Sequence, residues 1–97
     1  MRSPEGWVKY DTDKYLAGIG AYVVKPATFG YGSSGTADRI VCFAGKFISI
    51  EVKREGTVPT TIQERRMKEV RAAGGIAIWG DSAAKIIEEF KQALGLQ

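Results

Sequence analysis

The stretch that most constrains this chain is Arg39-Ile40-Val41-Cys42-Phe43, an Ala44-Gly45 break, then Lys46-Phe47-Ile48-Ser49-Ile50-Glu51-Val52-Lys53. Two runs rich in Ile, Val and Phe around a Gly-containing dipeptide predict a β-hairpin. With Ala44 and Gly45 as the loop, the numbers of opposed residues sum to 89, which sets Asp38 across from Glu51. Opposed Cβ atoms lie only about 4.5–5.5 Å apart, and like charges there repel, so the two carboxylates need a cation between them. Lys53 follows Glu51 by two residues and shares its face. One sheet face thus carries two acids and an amine. Such a set can hold a divalent metal for phosphodiester hydrolysis, or can be an ion cluster in which Lys53 or Arg39 neutralises the acids. Ala is a poor residue for the first position of a primed turn, which requires positive φ.

Gly35-Thr36-Ala37-Asp38, Ile50-Glu51-Val52-Lys53, Gln63, and Gly74-Gly75 before an apolar strand, in that order, resemble the PD-(D/E)XK nuclease superfamily. Within it, the chain is most similar to small stand-alone VRR-NUC (virus-type replication-repair nuclease) domains of phage and bacterial type, from about Ser3 to Trp79. Such domains usually carry Pro before the first Asp. Ala37 stands here instead, which removes a rigid turn residue and no ligand.

The resemblance implies an α/β, restriction-endonuclease-like α-β-β-β-α-β core with a mixed sheet flanked by helices. It implies a Mg²⁺- or Mn²⁺-dependent DNA endonuclease, with Asp38, Glu51, the Val52 carbonyl and Glu5 on the metal. Lys53 would act on the attacking water or the developing charge, and Gln63 would orient Lys53 or the scissile phosphate. Relatives of the small type act on branched DNA such as four-way junctions, and archaeal-type Holliday junction resolvases and restriction-type enzymes are the rivals of similar fold. A catalytically silent DNA-binding module is the rival of another class. A two-fold homodimer would match the two equivalent scissile phosphates of a junction.

Composition narrows the chemistry. The absence of histidine excludes Ser-His-Asp and Cys-His catalysis and histidine-containing zinc sites. The single cysteine, Cys42, permits no internal disulfide, and within an apolar strand it is expected to be a buried thiol. No signal peptide and no apolar run of 18 residues is seen, so a reducing cytoplasm and no membrane partner are expected. Ninety-seven residues suit one domain, 1–97.

The net charge of +3 is localised. Between Lys53 and Arg71 stand Lys53, Arg54, Arg65, Arg66, Lys68 and Arg71 against Glu55, Glu64 and Glu69, and the remainder balances. This excess can bind a polyanion by counterion release, or be a solvated helix face. By the resemblance, Lys25 is a further candidate phosphate contact.

The other elements follow from local signals. Ser3-Pro4-Glu5 starts a helix that closes at Gly18 and Gly20, with Val8, Thr12, Tyr15 and Ile19 on one side. Glu5 in its first turn also suits the helix dipole. Ala21–Lys25 forms a short strand ended by Pro26. Phe29 to Gly35 reads as a glycine-rich mobile loop. Thr60 or Thr61 caps a second helix reaching Ala73, with Gln63 or Glu64 completing a capping box, and Ile62, Met67, Val70 and Ala73 as core contacts. Ile76–Trp79 is a buried strand. Asp81 or Ser82 starts an extra C-terminal helix with Ala83, Ile86, Ile87, Phe90 and Leu94 on its apolar face.

Overall fold

A computed structural model describes residues 2–27 and 35–97. The order is α1 (Pro4–Gly18), β1 (Tyr22–Val24), β2 (Arg39–Phe43), β3 (Lys46–Val52), α2 (Thr61–Ala72), β4 (Ile76–Gly80) and α3 (Ala83–Leu94). The expected α-β-β-β-α-β core with a further C-terminal helix is therefore the observed one. The loop read over Phe29–Ser34 lies outside the described residues.

The four strands form one mixed sheet in the order β1-β2-β3-β4. β1, β2 and β3 run antiparallel in sequence, while β4 lies parallel to β3 and is reached through α2, as a parallel pair requires a crossover. The hairpin register is Arg39↔Ile50, Ile40↔Ser49, Val41↔Ile48, Cys42↔Phe47 and Phe43↔Lys46, every pair summing to 89. Ala44 and Gly45 both take positive φ, 53° and 75°. Ala44 thus carries the backbone strain its position in a primed turn imposes, and the packing of both strands holds it there.

Alternation along the strands gives the sheet two unlike faces. One presents Val41, Ile48, Ile50, Val52 and Ile78 to Leu16 of α1 and to Ile86 and Phe90 of α3, and these residues make the buried core. Phe90 is its hub, with the rings of Tyr15 and Phe43 each centred 5.9 Å away. Gly80 permits close packing here, because a Cβ on it would sit 2.7 Å from Ile86 Cγ1. The opposite face carries Ile40, Cys42, Phe47, Ser49, Glu51 and Ala77, and α2 packs over β3 and β4 on that side.

Two expectations are corrected. Cys42 is exposed, not buried. It alternates with buried Val41 onto the second face, beside Tyr22 and Phe47, which are 70% and 49% exposed, while α2 packs on β3 and β4. Ala73 is likewise exposed, because α2 ends at Ala72 and the chain turns away through Gly74 at φ 94°. Met67 supplies the buried contact of α2.

The caps match the local sequence. Ser3 Oγ accepts from Gly6 N–H at 3.0 Å, and Ser82 Oγ accepts from Lys85 N–H at 3.2 Å. Thr60, not Thr61, caps α2. No helix among the described residues is long and apolar enough to cross a membrane.

Candidate active site

Asp38 sits one residue before β2 and Glu51 near the end of β3, on the sheet face that also carries α2. Asp38 Oδ2 accepts the Val52 N–H at 2.8 Å, which fixes its carboxylate against the end of β3. Glu51 is only 6% exposed. Its carboxyl is pushed up to about 8, first by burial, then by the charge of Asp38 and a hydrogen bond with it. Lys53 opposes this rise, and Glu5 adds a little to it. Burial and the neighbouring Asp38 charge thus both favour the protonated form of Glu51.

Gln63 ties the acids to the amine. Its Nε2 donates to Glu51 Oε1 at 2.7 Å, and its Oε1 accepts from Lys53 Nζ at 3.2 Å. The same Oε1 accepts the Thr60 N–H at 2.8 Å, while Thr60 Oγ1 accepts the Gln63 N–H at 3.2 Å, closing the capping box. The two roles weighed for Gln63, helix cap and site residue, are held by one side chain. Lys53 is further positioned through its backbone, whose N–H donates to the Gly80 carbonyl at 2.9 Å. Asp81 Oδ2 accepts from Gly56 N–H at 3.0 Å and so anchors the loop between Lys53 and α2.

Glu5 stands apart from the pair. It is 42% exposed and lies 3.4 Å from Lys9, whose Nζ also lies 3.5 Å from Asp38 Oδ1. Among the described residues, no group of three or more His, Cys, Asp or Glu is gathered to hold a metal. The donors that are gathered still fit a hard divalent ion: two carboxylates, Asp38 and the buried Glu51, beside the Val52 peptide.

Arg39 does not neutralise this pair. It points to the other face, where Nε and Nη2 grip Asp13 of α1 at 2.7 and 2.9 Å, and Nη1 donates to the Asp38 carbonyl at 2.8 Å. Arg39 raises no shared proton problem with Asp13. Burial alone would lift the Asp13 carboxyl, but the Arg39 hydrogen bonds and charge, with Lys25 behind them, hold it below its usual value.

The basic candidates separate by location. Arg54, Arg65 and Lys68 are exposed. Arg66 bonds Glu69 at 2.8 Å and lines a largely apolar groove of about 460 Å³ between α2 and the sheet, which opens beside Glu51 and Gln63. Arg71 is turned to the Ala77 carbonyl at 2.8 Å, at the far end of α2. Lys25 lies 3.4 Å from Asp13 and is 64% exposed.

Lys9 and Asp13 escaped the reading of the sequence. With Glu5 they repeat at i, i+4 along α1. That spacing is a usable signal, since it puts all three on one stripe of the helix.

Two solved structures share this architecture. One, described as "VRR_NUC domain", superposes with a TM-score of 0.80 at 25% identity, over 93% of this chain and 97% of its own. The other, described as "VRR_NUC domain protein", gives 0.78 at 17% identity, over 99% of this chain and 92% of its own. No family model and no curated protein matches the chain. The fold is that of a VRR-NUC domain, which suggests a nuclease of the PD-(D/E)XK type.

Proposed function

We propose that this VRR-NUC domain is a metal-dependent endonuclease that hydrolyses phosphodiester bonds in DNA, acting on branched DNA such as four-way junctions as a homodimer. The observation that carries the reading is the Asp38–Glu51 pair with Lys53 held beside it by Gln63. Asp38, Glu51 and the Val52 carbonyl would hold Mg²⁺ or Mn²⁺, with Glu5 as a further carboxylate. Such an ion supplies Lewis-acid polarisation of the phosphate and acidifies an attacking water.

The chain's own side chains do the rest. Lys53 brings an ammonium to the charge that grows on the phosphoryl oxygens, or orients the water. Gln63 fixes where that ammonium stands, because its amide is itself fixed by Thr60 and Glu51. Arg54, Arg65, Arg66 and Lys68 follow the site in sequence and supply backbone contacts that position DNA without reading its bases. Arg71 and Lys25, each already engaged, add charge to that field. A homodimer would supply one Asp38–Glu51 site to each of the two equivalent phosphates of a symmetrical junction.

The test is cleavage of labelled junction, flap, nicked and linear DNA with Mg²⁺ or Mn²⁺, alongside sedimentation with and without DNA. Junction-selective cleavage by a species of twice 10.6 kDa supports the reading. Cleavage of linear DNA alone removes the junction preference, and a clean monomer removes the dimer. Binding without cleavage of any substrate turns the domain into a silent DNA-binding module.

A further inference from the structure

Asp38 bonds Glu51, and each of its two oxygens has a further partner. Oδ2 is taken by the Val52 N–H at 2.8 Å, on the inner side. Oδ1 faces the Lys9 ammonium at 3.5 Å, and the same ammonium lies 3.4 Å from Glu5 Oε1. Lys53, the other amine of the site, bonds the Gln63 amide oxygen instead. The lysine that stands between two of the candidate ligands therefore comes from α1.

We propose that Lys9 is the resident counter-ion of the metal site, standing against Asp38 and Glu5 while no divalent ion is bound and giving way when one binds. This rests on the metal-dependent reading above. A divalent ion brings two positive charges to the oxygens that Lys9 now faces, and an ammonium a few ångströms from those oxygens would be repelled by it. Lys9 can leave at little cost. It is 32% exposed, carries its charge on a flexible four-carbon stem, and makes no short hydrogen bond to either acid. Metal binding thus breaks both Lys9 contacts, and their loss is subtracted from the affinity. Glu5, which stands apart from Asp38 and Glu51 while Lys9 holds it, is released in the same exchange.

Calorimetric titration with Mn²⁺ and Ca²⁺, without DNA, tests this on wild type, Lys9→Met, Lys9→Gln and Lys9→Arg. The two neutral variants are expected to bind either ion roughly threefold to tenfold more tightly, as exposed ion-pair strengths set the scale. Lys9→Arg is expected to return affinity to that of wild type. Thermal melting gives a readout that a merely structural lysine would not move: the neutral variants melt below wild type without metal, and saturating Mn²⁺ erases the difference. Unchanged or weaker affinity in folded Lys9→Met and Lys9→Gln, or a melting deficit that persists in saturating metal, overturns the exchange while leaving the metal site intact. A wild type that binds neither ion, or an Asp38→Asn variant that binds as wild type does, overturns the metal reading and the exchange with it.

Discussion

Asp38 and Arg39 are neighbours in sequence, yet each builds a different kind of ionic cluster on opposite faces of one sheet. Arg39, 9% exposed, finds a complete partner in Asp13, with two hydrogen bonds of 2.7 and 2.9 Å and a third to the Asp38 carbonyl. Asp38 finds Glu51, a second acid, whose carboxyl is pushed up to about 8 by its burial and by the Asp38 charge. The first cluster is balanced and joins α1 to the sheet. The second gathers three acids, Asp38, Glu51 and Glu5, around the amines of Lys9 and Lys53. A buried ionic group that is satisfied from within serves the fold, whereas acids that outnumber the cations beside them suit a place that takes a cationic ligand.

Substitution separates the two clusters most sharply in activity. Asp38→Asn and Glu51→Gln are expected to lower metal-dependent cleavage by about a thousandfold or more, with no loss of folded structure by circular dichroism. Turnover near wild type in either would place the active site elsewhere.

Asp13→Ala acts on the balanced cluster and should do the reverse. It strands the Arg39 guanidinium in a nearly closed site and is expected to cost about 3 kcal/mol of stability, measured by urea unfolding. Cleavage per folded molecule should stay close to wild type. Stability unchanged within about 0.5 kcal/mol would mean that Arg39 finds water or another acceptor.

The clusters also have opposite pH signatures in protein free of divalent ions. Glu51 has a raised folded value, about 8 against 4.5. The folded state therefore binds the extra proton between those values, and stability falls as pH climbs from about 4.5 to about 8, by about 2 kcal/mol or more. Asp13 is depressed, so its contribution is present above its unfolded value and is lost as pH drops through the lower folded one. Glu51→Gln should flatten the alkaline side of a melting-temperature profile and leave the acid limb, and Asp13→Asn the opposite. Identical profiles in both variants would erase the distinction.

The smallest expected effect concerns the side chain that links the acid pair to its lysine. Gln63→Ala removes a capping interaction worth about 1 kcal/mol and frees Lys53, so cleavage should fall by about tenfold to a hundredfold. Gln63→Glu restores the cap but not the amide donor to Glu51, and is expected to recover stability without recovering rate. Equal recovery of both would assign Gln63 to the helix alone.

What the sequence made legible is uneven for physical reasons. The hairpin was readable to the residue, because alternation and a Gly-containing break are local, and from its register came Asp38 opposite Glu51. Gln63 was readable as a cap from Thr60 and as a site residue by resemblance. Cys42 was not. Its strand position is local, but its exposure depends on how far α2 extends over the sheet, and that is a tertiary property. Arg39–Asp13 and Lys9–Asp38 were missed because each closes over more than 25 residues, and a charged stripe on α1 looks the same whether it faces water or a sheet edge.

The capping box at Thr60 and Gln63 has a consequence for when the site exists at all. Helix ends fray first, and local opening of this kind is common in native proteins. Here the first turn of α2 carries the amide that holds Glu51 and Lys53 together, so opening of that turn would break both contacts. A chain still folding, with β3 formed but α2 not yet docked, would have its acids in register and its lysine adrift. On the function proposed above, docking of α2 would be required for cleavage, and amide exchange at Gln63 and Glu64 is the measurement that follows it.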